Sequence, residues 1–253
     1  MTSTSEARGR GRLAAGAFAL LGAAVAWANQ PFLVADGTVV EQGKPVKLRL
    51  AEGVPSHGVV GATPVPQSAV VHLPDGTFVD LGDQLPQDAE PSDWQVTYTP
   101  KQPGDHVVFV QAHPRQLDGD YVTDFVKLVL NVGGLERGWD RPLRQRFELV
   151  PLTRPYGIPA GALFRAQLLT GGQPGAGLVR IERWSPSGPA AGAPPLHLAR
   201  SERTGPMGEV AVILDKPGFW SLSARGVGRT VQVAGQRTQE VLRTTLWVHV
   251  DPS

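Results

Sequence analysis

Six histidines are the residues of this chain best suited to chemistry, because cysteine is absent altogether. Without thiols there is no cysteine nucleophile, disulfide or thiolate zinc site, and imidazole becomes the natural ligand for a divalent transition metal. His57 stands in a Pro/Gly-bearing loop, Val54-Pro55-Ser56-His57-Gly58, with no strand pattern around it. His113 shares a loop-to-strand segment with Asp118, Asp120 and Asp124, so local geometry can gather several donors there. Spacing adds little. No H-x-x-H, H-E-x-x-H or His-rich tract occurs, and an isolated imidazole is more often a surface or hydrogen-bonded group than a ligand. His106 and His249 sit in alternating segments and His197 in a Pro-rich loop, which gives all three a structural reading. His249 follows Trp247 at period two, so both side chains face one side of the last strand.

Acid–base and nucleophilic chemistry find no motif. No serine beyond residue 28 stands in a G-x-S-x-G elbow, the turn that exposes a hydrolase nucleophile. Glu182 and Glu209 are the pair to weigh for glycoside hydrolysis, but carboxylates on a sandwich are usually solvated face residues. Gly133-Gly134 leads to Leu135-Glu136 rather than into a helix bearing Lys-Ser or Lys-Thr, so it is no phosphate loop. The expectation is a protein without enzymatic activity.

The N-terminus speaks about compartment. Arg8, Arg10 and Arg12 precede an apolar run at 13–25, which ends in Ala26-Trp27-Ala28. This reads as a signal helix over residues 1–28, cleaved before Asn29. The run falls short of the ~20 residues a bilayer-spanning helix needs; a retained N-terminal membrane anchor is the alternative. The protein is then expected to be periplasmic or secreted. The segment takes Arg8, Arg10, Arg12 and Glu6 from 24 basic and 23 acidic residues, leaving a nearly neutral body. Such a body carries no electrostatic footprint for nucleic acid or an anionic membrane.

Thirty glycines and 23 prolines oppose long helices. Apolar residues fall instead into short runs of period two between turn signals. The stretch 46–50, VKLRL, alternates cleanly, and 69–73 and 77–81 flank Pro74-Asp75-Gly76 as a hairpin. WQVTYT at 94–99 alternates again, and DYVTDFVKLVLNV at 120–132 is a longer strand. Further on, 162–169, 178–184 and 243–250 repeat the pattern, and 209–214 is expected to pair with 219–224. Phe219 and Trp220 must point to opposite faces, so one is less buried. The expected fold is all-β: two tandem immunoglobulin-like or transthyretin-like sandwiches at 29–134 and 158–253, joined by a connector at 135–157. In that connector Trp139 is expected to wedge between the sandwiches. Arg144, Arg146 and Arg154 are candidates to pair with Asp140, Glu136 and Glu148.

Several ordered pieces carry a family likeness. They are the strand and turn around Val71-His72-Leu73, PGDHVVFV at 103–110, the basic Lys127, GGLERGWD at 133–140 and FELVPLTRPYG at 147–157. GQPGAGLVRIE at 172–182 and GFWSLSA at 218–224 complete the set. From Phe32 onward the chain resembles the family of periplasmic components of nickel- or cobalt-uptake transporters, otherwise described as a domain of unknown function. The resemblance implies a secreted, non-enzymatic, two-domain β protein, a nickel or cobalt ion, and a membrane permease as partner. It also places His72 at a strand end where the family has a histidine. The candidate metal set is therefore His57, His72, His113 and Asp120. Where family members carry a histidine near the mature N-terminus, this chain has Asn29-Gln30-Pro31. The competing expectation is a structural or protein-interaction sandwich without a metal site, with glycan binding on exposed tryptophans as one form of it.

Overall fold

The computed structural model describes residues 29–86, 89–117, 119–189, 191–192 and 198–252. The expected signal helix, Asp118 and His197 lie outside the described residues. The strands begin with β1 (Gln30–Ala35), β2 (Val39–Val40), β3 (Val46–Val54), β4 (Val59–Gly61), β5 (Ser68–His72) and β6 (Phe78–Asp80). There follow β7 (Trp94–Tyr98), β8 (Gly104–Gln111), β9 (Arg115–Leu117), β10 (Asp120–Val132), β11 (Phe147–Pro151) and β12 (Ile158–Pro159). The remainder are β13 (Ala162–Thr170), β14 (Gln173–Pro174), β15 (Leu178–Arg183), β16 (Ala199–Arg203), β17 (Glu209–Leu214), β18 (Gly218–Val233) and β19 (Gln236–Asp251). Short 3-10 turns occupy Pro55–His57 and Gly82–Gln84. The fold is all-β and sandwich-like.

One long sheet runs through the molecule in the order β16-β15-β18-β19-β10-β8-β5-β6, with β12, β2 and β9 attached to its middle strands. A first outer sheet holds β1, β3, β4 and β7; a second holds β11, β13, β14 and β17. Alternation decides which residues meet which layer. On β8 and β10, Val108, Val110, Val126, Leu128 and Leu130 pack toward the first outer sheet, whereas Phe109 and Phe125 pack toward the second. β10 is buried on both faces along most of its length, which explains its near-continuous apolar sequence. On β17, by contrast, Val210, Val212 and Leu214 are buried while Glu209, Ala211 and Ile213 are exposed, as expected of a strand solvated on one side.

The segments expected as two sandwiches share the central sheet; the first supplies one outer sheet, and the second supplies the other together with β11, which forms within the expected connector. The join is parallel: β10 pairs with β19 from Tyr121 against Glu240 to Leu128 against Trp247. Trp247, from the last strand, is fully buried in the core beneath the first outer sheet, where its ring lies 4.8 Å from that of Phe32. One pairing expectation is corrected. β17 does not pair with β18; it pairs with β13 in the second outer sheet, while β18 lies between β15 and β19. The turn at 215–218 thus carries the chain from one layer to another, with Gly218 at φ 111° making the sharp corner. The hairpin at Pro74-Asp75-Gly76 forms as expected, with His72 opposite Phe78. Phe219 is half-buried toward the first core and Trp220 is buried in the second.

The connector is packed rather than wedged. Trp139 is half-buried against a small cluster of Val107, Val129 and Tyr156. Asp105 holds it there by accepting the backbone N–H groups of Arg137 at 2.5 Å and Trp139 at 3.3 Å. Of the expected charge pairs only Arg154 with Glu136 forms. Arg146 turns instead to Glu240, and Glu148 to Lys127.

Candidate functional site

The densest polar cluster lies where β1 begins. Gln30 is only 3% exposed although it is the first residue of its strand. Its amide donates to Ser221 Oγ at 2.8 Å and to Glu182 Oε2 at 3.4 Å, and its side-chain oxygen accepts from Ser223 Oγ at 2.5 Å. Ser223 also meets Thr245 Oγ1 at 3.0 Å. A buried amide without such partners would cost about 1–3 kcal/mol, so this network holds the strand end in place. Trp247 adds a further anchor by donating its indole N–H to the Pro31 carbonyl at 3.0 Å.

From this point the hydrogen bonds run two ways. Across β18 and β15 they reach Glu182, which is 2% exposed. Glu182 Oε1 accepts Ser56 Oγ–H at 2.7 Å and the Arg180 guanidinium at 3.0 Å. Ser56 Oγ in turn lies 3.1 Å from His57 Nδ1. A serine has one hydrogen, and here it is committed to the carboxylate. The His57 contact therefore has Nδ1–H donating to Ser56, and in the neutral ring this leaves Nε2 as the lone-pair nitrogen of an exposed side chain. Gly58, at φ 70°, ends the 3-10 turn that presents the ring, and a Cβ there would lie 2.5 Å from the Ser185 carbonyl oxygen.

Across β19 and β10 the bonds reach Asp124. Arg243 donates to the Asn29 carbonyl at 2.8 Å and grips Asp124 with Nε and Nη2, the latter at 3.0 Å. Arg115 on β9 also reaches Asp124, at 3.1 Å, and pairs with Glu52 on β3. Burial pushes the Arg115 pKa down despite the attraction of Asp124. Two residues before Arg115 is His113, exposed in the loop after β8.

The other candidates lie elsewhere or are engaged. His72, on β5, is half-buried with its ring 6.4 Å from both Phe78 and Phe109. Burial and then the nearby Arg141 and Lys127 charges lower its pKa. Asp120 sits at the start of β10 and receives the Arg225 guanidinium at 2.5 Å. Among the described residues, no three His, Asp or Glu side chains gather into a group that could hold a metal ion. His106 is fully buried, its Nδ1 2.6 Å from Tyr98 Oη and its Nε2 2.9 Å from the Gln102 carbonyl. Burial lowers the His106 pKa and pushes the Tyr98 hydroxyl up to about 12. His249 faces Phe219 at 4.8 Å and Asp251 Oδ1 at 3.0 Å. Glu182 and Glu209 lie in different sheets, Glu209 being bonded to Arg165 at 3.1 Å.

The serine link between Glu182 and His57 was not legible beforehand. Ser56 precedes His57 directly, but its role depends on a carboxylate 126 positions away. The only signal was an acidic residue inside the alternating LVRIERW strand, a burial candidate needing a partner.

These features define an all-β protein of fused sandwiches, with a strand-end polar cluster whose buried carboxylates are matched by arginines or hydroxyls. The chain belongs to the family described as Domain of unknown function (DUF4198), whose profile matches residues 26–228. No curated protein matches it. Among solved structures it is similar to a Salmonella alpha-2-macroglobulin, at 12% identity over 87% of this chain and 15% of that one, TM-score 0.28. It is also similar to a DUF4785 family protein from Legionella pneumophila, at 10% identity over 78% and 52% of the two chains, TM-score 0.30. The D0-D1 domain of Intimin gives 13% identity over 88% of this chain and all of that one, TM-score 0.22. This chain spans about 15% of the length of the first of these. At such scores the likenesses carry no functional argument.

Proposed function

We propose that the protein is a non-enzymatic accessory component of nickel or cobalt uptake, acting outside the cytoplasm beside a membrane permease. The metal and the permease come from the family resemblance, whose specific pieces are 133–140 and 147–157. The observation that supports a ligand role most directly is the Glu182–Ser56–His57 relay, 2.7 Å and then 3.1 Å. Metal-binding histidines characteristically donate their second ring nitrogen to a supporting oxygen, which sets the tautomer and aims the free nitrogen. Here the supporting hydroxyl is itself held by a buried carboxylate, and Nε2 is left to an incoming ion. His113, two residues before Arg115, is the second exposed imidazole within this reading. Imidazole nitrogen suits both nickel and cobalt. His72 and Asp120 are weaker members of the set, since one ring is packed between aromatics and the other carboxylate is paired with Arg225.

The reading is tested by calorimetric titration of residues 29–253 with nickel and cobalt chlorides. Saturable binding weakened at least tenfold by His57→Ala, and also weakened by His113→Ala, is expected. An absence of saturable heat for both metals would remove the metal-binding role.

A further inference from the structure

The open seam between β6 and β7 carries a different inference, one that does not depend on metal binding. Among the described residues, β7 is a terminal strand of the first outer sheet, paired only with β3, and β6 is the terminal strand of the central sheet. Between them lies a groove of about 530 Å³, walled by Leu73, Val79, Leu81 and Tyr98 with Gln84 and Lys101 at its borders. Every residue of β6 is exposed, including Phe78 at 64% and Val79 at 38%. Among the described residues, two strand edges with no further strand paired to them thus lie beside an apolar trough.

The backbone of β7 indicates what belongs there. Thr97 stands opposite Lys47 of β3, yet its N–H does not go to β3. It goes to the side-chain oxygen of Gln84, at 3.1 Å. In an antiparallel pair a residue whose N–H points away from its partner also points its C=O away, and residues two apart do the same. Thr97 and Gln95 therefore turn their backbone N–H and C=O groups away from β3, and Thr97 lines the groove. The Gln84 amide oxygen occupies the place that a peptide carbonyl of a further strand would take. Gln84 and Thr97 are both exposed, so this contact is easily exchanged. The charges add direction. The Asp75 carboxylate already accepts Thr77 N–H at 2.9 Å and Thr77 Oγ1–H at 2.7 Å. The Lys101 ammonium makes no ion pair among the described residues.

We propose that this seam is a docking site for an extended segment of a partner polypeptide, which adds to β7 as a strand and displaces the Gln84 side chain. The segment supplies a backbone carbonyl to Thr97 N–H, an apolar side chain to the trough between Val79 and Leu81, and a carboxylate to Lys101. Main-chain pairing gives such a site its grip, and the pocket for alternate side chains gives its selectivity.

The test uses the purified protein and a fluorescein-labelled heptapeptide of alternating valine and threonine that ends in glutamate, followed by fluorescence anisotropy. Saturable binding is expected, weakened at least tenfold by Thr97→Pro and by Val79→Glu, and retained or strengthened by Gln84→Ala. Thr97→Pro removes the outward donor without touching a bond to β3, as proline on an edge strand does. Val79→Glu alters an exposed side chain and keeps the test decisive if the proline variant misfolds. No saturation at millimolar protein, or unchanged affinity in a folded Val79→Glu variant, overturns the proposal. So does a wild-type dimer in sedimentation velocity that Val79→Glu dissociates, since the occupant is then a second copy.

Discussion

Lys127 Nζ lies 2.5 Å from Glu148 Oε1, and both side chains are buried between the central and second outer sheets. The pair joins β10, before the connector, to β11, which forms inside it. Glu148 also accepts the backbone N–H of Leu143 at 2.7 Å and of Gln145 at 3.2 Å, which folds the connector onto the same carboxylate. Desolvation pulls the Lys127 pKa down, against the pull of Glu148.

Removing one partner of a buried pair strands the other charge. Glu148→Gln is expected to destabilise the protein by about 3–5 kcal/mol in urea unfolding. Lys127→Met should cost less, because the carboxylate keeps its two backbone donors. Equal losses for the two variants would mean that the ion pair, rather than the connector hydrogen bonds, sets the effect.

Glu240 predicts an acid transition. Hydrogen bonds from Arg146, at 2.7 and 2.8 Å, and from Thr123, at 2.6 Å, hold its carboxyl down from 4.5 to about 2. A carboxylate with a depressed folded pKa stabilises the protein above its unfolded value, and that stability is lost as pH falls toward the folded one. The melting temperature should therefore decline between pH 4.5 and about 2. Arg146→Met should flatten this part of the curve. An Arg146→Met profile parallel to wild type would remove Glu240 from the acid response.

The imidazole support is separable from the imidazole. Ser56→Ala keeps His57 but removes the acceptor for its Nδ1–H, so nickel affinity should fall about tenfold. The melting temperature checks folding in the same sample. If Ser56→Ala binds nickel as wild type does, the relay plays no part in ligation.

Trp139→Ala is expected to lower stability by about 1–2 kcal/mol, the scale for losing a half-buried aromatic. Small-angle scattering of the variant should match wild type. The eight-register parallel pairing of β10 with β19 holds the halves together without the indole. A changed scattering profile would show that Trp139 sets their relative placement.

Much of the strand content was legible because alternation is a local property. The hairpin at 69–81 and the opposed faces of Phe219 and Trp220 follow from period two and turn chemistry alone. Strand partners are a different matter. The alternation of EVAVIL at 209–214 says that it has one buried face, but nothing in it selects β13 over β18. The connector arginines show the same limit. Opposite charge made Glu148 a reasonable partner for Arg146, but Glu148 lies beside Lys127 on β10, and Arg146 meets Glu240 near the far end of the chain.

By itself the sequence determined an all-β chain without thiol chemistry, where its turns fall, and which residues share a strand face. Those properties depend on neighbours in the chain. Only the tertiary structure decided that the central sheet is shared, that Trp247 sits beneath the first outer sheet, and that Ser56 links His57 to Glu182. These contacts join positions from 126 to more than 200 residues apart. Their energies depend on which strands become adjacent in space, and a hydrophobic period of two is compatible with many such arrangements.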